Sequence, residues 1–239
     1  MNVFAALRFP LPAYTPLVAP LLNLAALTGD ELARLLGPEA AQKLLPDVSR
    51  ARLEGKSYRG PPLGATCDLE ALPERVWGAT APDTRRIRAL QEEFAALGFT
   101  ALGAYYAPGV LGARHSLIWL GDGDTAACLR WSETPHTFAE APFVELLTLL
   151  RDRASGFAAV LTTTSQLPPV PAPSDTVAER SLPGAGAHEA RETHRAELSR
   201  HGRGVKLATF GDWARAWQTL RDLNFAAWSR RGAVIEDKP

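Results

Sequence analysis

The chain has 239 residues, of which 46% are hydrophobic and 22% are charged, a composition that can bury a sizeable core and argues against global disorder. Its 26 basic and 26 acidic residues cancel, which argues against a duplex nucleic-acid binder and makes nucleic acid an unexpected partner. The two cysteines, Cys67 and Cys128, form neither a disulfide framework nor a CxxC motif, so we expect reduced thiols in a cytoplasmic protein.

Residues 1–27 are apolar, with Arg8 as their only charge, and four prolines interrupt them. A transmembrane helix needs about 20 uninterrupted apolar residues, and repeated prolines break helices. We therefore expect an extended arm that packs on the domain. The alternative is an arm that attaches to a membrane surface or to a partner.

Two short helices are predicted after this arm, within an N-terminal segment that spans residues 1–60. Thr28 and Glu31 have the spacing of a capping box, and Gly37 followed by Pro38 has the order of a helix stop and a helix start. Pro46 is expected to end the second helix. The glycine- and proline-rich residues that follow, up to residue 83, predict a loop.

Residues 84–165 predict a helix followed by a sheet. An apolar stripe indicates a helix over 84–97 with Asp83 as its cap, and the stripe consists of Ile87, Leu90, Phe94 and Leu97. Residues 98–108 then predict a strand. The Asp122-Gly123 pair between two apolar runs predicts a β-hairpin, because these residues tolerate positive φ. Ser155-Gly156 and the β-branched run 160–164 favour a second hairpin over a helix.

A proline-rich connection at residues 166–175 leads to two predicted C-terminal helices. The first carries His188, His194 and His201, and their spacing of six and seven residues does not suit a shared metal ion. We expect a solvated histidine-bearing face there. Thr209 and Asp212 predict the start of the second helix.

The expected fold class is α+β, an antiparallel sheet of about five strands packed with helices, plus an N-terminal helical arm and two C-terminal helices. Three segments are expected. They are the arm and short helices in residues 1–60, the helix and sheet in residues 84–165, and C-terminal helices in residues 176–239. The last segment packs on the sheet, either as a separate unit or as one domain with residues 84–165.

Catalytic candidates are few, and the sequence indicates no metal or cofactor site. His115 in a strand, His136 in a loop and Glu145 could together form a carboxylate–imidazole pair, although no fixed spacing requires one. Glu133 and Glu140 are also near in sequence. Cys128 lies in an apolar strand, where a thiol is usually inert.

The final predicted helix holds three of the six tryptophans, Trp213, Trp217 and Trp228, among several arginines that include Arg221. The rings follow a helical stripe, which favours a helix buried on the sheet. The competing interpretation makes these rings and Arg221 a surface that binds a ligand or a partner.

Three functional hypotheses follow from these patterns. The first is a non-enzymatic protein that binds a partner protein or a small apolar ligand. The second is a hydrolase-like enzyme that uses histidine and glutamate, with or without a metal. The third is association with a membrane surface or with single-stranded nucleic acid through the arm or the last helix.

Overall fold

The structure, a computed structural model, describes residues 19–64, 68–108, 113–134 and 140–236. Within them lie five α-helices, α1 (Gly29–Leu36), α2 (Pro38–Leu53), α3 (Ala81–Ala96), α4 (Ala187–His201) and α5 (Phe210–Arg230). The described strands are β1 (Leu21–Asn23), β2 (Arg59–Pro62), β3 (Glu70–Leu72), β4 (Thr100–Tyr106), β5 (His115–Gly121), β6 (Thr125–Trp131), β7 (Phe143–Leu149), β8 (Ala159–Thr163), β9 (Val177–Ser181) and β10 (Val234–Ile235).

The strands form two sheets, so the molecule is a mixed α and β protein. The larger sheet has seven strands in the order β3-β4-β5-β6-β7-β8-β9, and the smaller has three in the order β10-β1-β2. The expectation of about five antiparallel strands matches this arrangement only roughly. The five strands β4 to β8 are antiparallel neighbours as expected, but β3 and β9 extend the sheet, and β9 runs parallel to β8.

The parallel pair arises from the proline-rich connection. Parallel neighbours need a crossover of about a dozen residues or more, and residues 164–176 supply it between β8 and β9. The prolines in this stretch predict only a linker before two helices, so the crossover differs from the expectation. Strand β9 is short, so local pattern gave little indication of it.

The two predicted hairpins are present. Asp122 and Gly123 have φ of 53° and 75°, the positive values that a tight two-residue hairpin turn requires. Strands β5 and β6 pair around this turn, from His115 opposite Trp131 to Gly121 opposite Thr125. Strands β7 and β8 also pair antiparallel, with Gly156 at φ 84° in the connection between them.

Helices cover both faces of the large sheet. Alternate residues of a strand point to opposite faces, so each strand supplies two cores. Helices α3 and α4 cover one face, where Phe94 of α3 stacks on Trp119 of β5 with ring centroids 4.5 Å apart. Helix α5 covers the other face and buries Trp213, Trp217 and Leu220 against Ile118, Ala126, Cys128 and Leu147.

The N-terminal lobe (residues 19–64) has its own apolar cluster around α1, α2 and the small sheet. The predicted capping box is present, since the Thr28 hydroxyl accepts from the Glu31 N–H and the Glu31 carboxylate accepts from the Thr28 N–H. Gly37 and Pro38 separate the two helices as expected. Residues 1–18, which include most of the predicted arm, lie outside the described residues.

Two helix boundaries differ from the predicted ones. Helix α2 continues past Pro46 to Leu53, because Leu44 and Val48 on either side of the proline are buried in the lobe and hold the helix there. Tertiary packing thus outweighs the lost backbone hydrogen bond. Helix α3 is capped by Thr80 rather than Asp83. The Thr80 hydroxyl accepts a hydrogen bond from the Asp83 N–H at 3.3 Å.

Candidate functional site

The tryptophans of α5 have three different environments. Trp213 is 2% exposed, and its Nε1 donates to the Ala127 carbonyl of β6 at 3.0 Å. Trp217, one turn later, is 6% exposed, with its ring centroid 5.6 Å from that of Trp213. Trp228 is half-buried, packs against the N-terminal lobe, and donates to the Ala172 carbonyl at 2.8 Å. Trp213 and Trp217 therefore belong to the core beneath α5, whereas Trp228 joins α5 to the lobe.

An ion pair lies beneath Trp217. Arg130 of β6 and Glu145 of β7 are 2.5 Å apart between Nε and Oε2, and their side chains are 16% and 18% exposed. The Arg130 guanidinium carbon lies 5.1 Å from the Trp217 ring centroid, within the range of a cation–π contact. Removing Arg130 would leave the Glu145 carboxylate partly buried without its positive partner.

Cys128 completes this group, which we call the Trp217 site (Cys128, Arg130, Glu145 and Trp217). Cys128 pairs directly with Glu145 across β6 and β7, so the two side chains share a face. Its Sγ lies 3.5 Å from the Glu145 carboxylate and 3.4 Å from Arg130 Nε. Burial raises the pKa of the Cys128 thiol far above its usual range. The thiol therefore stays protonated and is unsuited to act as a nucleophile.

Two further carboxyl groups belong to the same end of the sheet. Burial raises the pKa of Glu140, although the N–H groups of Gln166 and Leu167 donate to it. Burial and the charge of Glu145 both raise the pKa of Glu179 on β9. Glu140 and Glu179 are thus less easily ionised than usual, and Arg130 pairs with the neighbouring Glu145.

Trp217 Nε1 is a buried donor that has no acceptor in the part of the chain that the structure describes. Among the described residues only three buried side-chain polar atoms have no hydrogen-bond partner, and they are His115 Nδ1, Ser155 Oγ and Trp217 Nε1. A buried indole N–H normally finds a partner, as those of Trp213 and Trp228 do. Of the three tryptophans, Trp217 alone has an unmet requirement for an acceptor.

Arg221 lies one turn of α5 beyond Trp217 and holds the N-terminal lobe. Its Nη1 donates to the Gly64 carbonyl at the end of that lobe. Leu69, which follows, packs on the apolar cluster beneath α5. The arginine proposed as a ligand contact therefore joins α5 to the end of the N-terminal lobe.

His115 lies on the opposite face of the sheet from Glu145. It pairs with Trp131, which belongs to the core under α3 and α4, whereas Glu145 pairs with Cys128 in the core under α5. The structure therefore does not bring the proposed catalytic pair together. His136, the third candidate, lies outside the described residues.

Aromatic rings surround His115 instead. Its ring centroid lies 5.2 Å from that of Tyr106, 5.7 Å from that of Trp131 and 6.1 Å from that of Trp77. Burial lowers the pKa of His115, which keeps the ring neutral. Glu133 accepts from the Trp131 indole and from the Gly78 N–H, so this carboxylate has structural partners.

The prediction of a solvated histidine-bearing face on α4 is wrong for His194. That side chain is 0% exposed, and its two ring nitrogens lie 3.0 Å from the hydroxyls of Thr148 and Thr162. Burial lowers the pKa of His194 to about 4. His194 is therefore a neutral core residue between α4 and strands β7 and β8. The sequence of the helix does not indicate these partners, because they come from distant strands.

Arg130 and the position of Cys128 beside it were not predicted from the sequence. The only local signal is their spacing of two within one strand, which places both side chains on one face. Predicting that Glu145 lies beside them would require the register between β6 and β7. The sequence of the connecting residues 132–142 does not indicate that register.

The Trp217 site has few catalytic features. Its thiol is protonated, its carboxylate is engaged by Arg130, and no imidazole contacts either group in the described part of the chain. Within that part, no three histidine, cysteine or acidic side chains are placed to hold a metal ion. None of the described helices is both long enough and apolar enough to cross a bilayer.

Comparisons of the chain with protein-family models, with curated proteins and with solved structures found no match.

Proposed function

We propose that the protein is a non-enzymatic binding module whose Trp217 site takes a small ligand with an apolar body and one hydrogen-bond acceptor. The observation that carries this proposal is the buried Trp217 Nε1, which has no acceptor among the described residues. An unsatisfied buried donor costs about 1–3 kcal/mol. A ligand that supplies the acceptor would recover that free energy on binding.

The surroundings suit a ligand with such an acceptor. The indole and the neighbouring Trp213 and Leu220 provide an apolar wall, and Arg130 provides positive charge at its edge. Most ligand pockets combine an apolar lining with a few polar groups in this way. Because Arg130 and Glu145 are 16% and 18% exposed, solvent reaches the edge of the site.

A small ligand fits better than a partner protein at this position. Trp217 is almost fully buried, and a protein surface reaches exposed side chains more readily than buried ones. The hydrolase hypothesis stays a prediction, and its pairing of His115 with Glu145 has no support, because the two residues lie on opposite faces of the sheet. Association with membranes or single-stranded nucleic acid also stays a prediction.

Titration with 8-anilinonaphthalene-1-sulfonate tests the proposal, because this fluorescent probe joins an apolar body to a sulfonate acceptor. Trp217→Phe keeps an aromatic ring and removes the N–H. We expect the probe to bind the native protein and its Kd to rise about tenfold in the variant, as for the loss of one hydrogen bond.

Trp228→Phe is the matched control, since it makes the same change in the same helix at an indole that already has an acceptor. Its Kd for the probe should stay within about twofold of the native value. Near-ultraviolet circular dichroism of each variant checks that packing is retained. Equal probe affinity in the native protein and Trp217→Phe would contradict the proposal.

A further inference from the structure

A charged cleft opens at the turn end of the large sheet, far from the Trp217 site. It has a volume of about 430 Å³, within the range of small-molecule sites. We call it the basic cleft, and it is lined mainly by Asp122, Asp124, Arg151, Arg195, Arg203 and Lys206. Asp124 and Arg130 are six residues apart on the chain that forms β6, which separates the two sites by roughly 20 Å.

The two carboxylates of the cleft are already neutralised. Asp122 accepts three hydrogen bonds from Arg191, the shortest at 2.6 Å. Asp124 accepts from Arg195 at 3.1 Å, and burial raises the pKa of Asp124. The lining therefore has little negative charge that could satisfy its remaining basic groups.

Two basic side chains stay unpaired. Arg203 and Lys206 have no acidic partner within 4.0 Å in the described part of the chain, and both are exposed at the cleft. Arg151 uses its Nε to donate to the Gly204 carbonyl at 2.9 Å, and no carboxylate pairs with it there. Three positive side chains thus surround one space.

The segment that carries these side chains is held in place. Arg151 N donates to Arg203 O at 3.0 Å, Val205 N donates to Leu149 O at 2.8 Å, and Leu207 N donates to Gly123 O at 3.0 Å. A Cβ on Gly204 would lie 2.4 Å from the Asp124 carboxylate, so only glycine allows this close approach. The backbone that carries Arg203 and Lys206 is consequently held in place before any ligand arrives, which lowers the cost of binding.

We propose that the basic cleft binds a small phosphate-bearing ligand, with the phosphate held by Arg151, Arg203 and Lys206. Guanidinium groups bind phosphate oxygens through paired charge-assisted hydrogen bonds, and lysine adds a point charge. The cleft volume leaves room for an organic body attached to the phosphate. The C-terminal end of α4 also borders the cleft, and its partial negative charge disfavours a bound anion. The Gly202 N–H reduces this unfavourable charge, because it donates to the Leu198 carbonyl at 3.0 Å.

Isothermal titration calorimetry at constant ionic strength tests this second site. The probes are inorganic phosphate, pyrophosphate and adenosine 5′-monophosphate, and vesicles that contain phosphatidic acid separate a lipid headgroup from a free phosphate. We expect saturable binding of at least one phosphate probe. Arg203→Ala/Lys206→Ala should weaken it by roughly tenfold to hundredfold, as expected for lost hydrogen bonds to a charged group.

Arg85→Ala/Arg88→Ala is the matched control, because it removes two exposed charges from α3, away from the cleft. Equal weakening in both double variants would indicate diffuse electrostatics and overturn the proposal, as would no binding of any probe. Trp217→Phe should leave phosphate binding unchanged. Failure of this site is therefore distinguishable from failure of the Trp217 site.

Discussion

Glu31 and Arg231, 200 residues apart in the chain, form an ion pair that joins α1 to the end of α5, with Nη2 and Oε2 2.8 Å apart. The same carboxylate accepts from the N–H groups of Thr28 and Ala172. One side chain thus caps a helix, pairs with the far end of the sequence and holds the proline-rich crossover. Glu31 therefore connects three parts of the fold.

Replacing Glu31 with glutamine should lower the free energy of unfolding by about 2 kcal/mol at neutral pH, because three donors lose a charged acceptor. Glu92→Gln on the exposed face of α3 is the control and should change it by less than about 0.5 kcal/mol. Urea denaturation followed by circular dichroism gives both values. Equal stability of the two variants would show that the Glu31–Arg231 ion pair does not contribute to stability.

The same carboxylate predicts a loss of stability in acid. Burial alone would raise the pKa of Glu31, but the hydrogen bonds from Arg231, Thr28 and Ala172 outweigh it and lower the pKa from 4.5 to about 2. Its contribution is complete above pH 4.5 and is lost as the pH falls toward 2. Glu31→Gln should therefore show a weaker loss of stability than the native protein across this window.

The buried His194 should also destabilise the protein as the pH falls, but over a higher pH range than Glu31. Burial lowers the pKa of His194 from the usual 6.5 to about 4 in the folded protein, so the unfolded chain takes up the proton first as the pH falls. The contribution is present above pH 6.5 and declines as the pH falls toward 4, by about 2 kcal/mol between pH 7 and pH 5.

His194→Gln isolates this effect. The pKa of His115 is also lowered, so His115 acts in the same direction, and the difference between variant and native protein is the quantity to measure. We expect the variant to be less stable at pH 7, and the gap to narrow at pH 5. A gap that stays constant between the two pH values would contradict the buried neutral state of His194.

The two buried indoles of α5 should respond differently to the same substitution. Trp213→Phe breaks a hydrogen bond to the Ala127 carbonyl, whereas Trp217→Phe removes a donor that has no acceptor. Loss of ring volume is common to both. Thermal unfolding should therefore show Trp213→Phe less stable than Trp217→Phe by about 1 kcal/mol. The reverse order would mean that Trp217 Nε1 is satisfied.

Cys128 should resist modification in the folded protein. The variant Cys67→Ser leaves it as the only thiol. Its reaction with Ellman's reagent should be at least roughly 100-fold slower than that of a free thiol, since burial prevents thiolate formation and access. Unfolding in guanidinium should restore the ordinary rate, and rapid reaction of the native variant would contradict the burial of this thiol.

Features with local causes were predictable from the sequence. The Asp122-Gly123 hairpin, the Gly37-Pro38 boundary and the Thr209–Asp212 capping box each depend on residues that are neighbours in the chain. The apolar stripe of α5 likewise indicated that Trp213 lies in the core. Short-range steric and hydrogen-bonding requirements determine such features, so a few residues suffice to recognise them.

Features that depend on distant partners were not predictable. The burial of His194 depends on two threonine hydroxyls from β7 and β8. The Trp217 site depends on the register between β6 and β7 and on the angle at which α5 crosses the sheet. Strands β1, β3, β9 and β10 have two to five residues each, too few to carry a clear period of two.

The pairing of β1 with β10 also bears on how the protein is made. Leu21 and Leu22 lie opposite Ile235 and Val234, and the Asn23 side chain donates to Gly232 O across 209 residues. At 5–20 residues per second, a ribosome needs roughly 10–40 s to produce the second strand after the first. During that time the nascent N-terminal lobe lacks one edge of its sheet and the cover of Trp228 over its apolar cluster. Strand β1 can pair with β2 early, but its other edge stays unpaired until β10 is made, and until then that edge is open to misassembly and to chaperones.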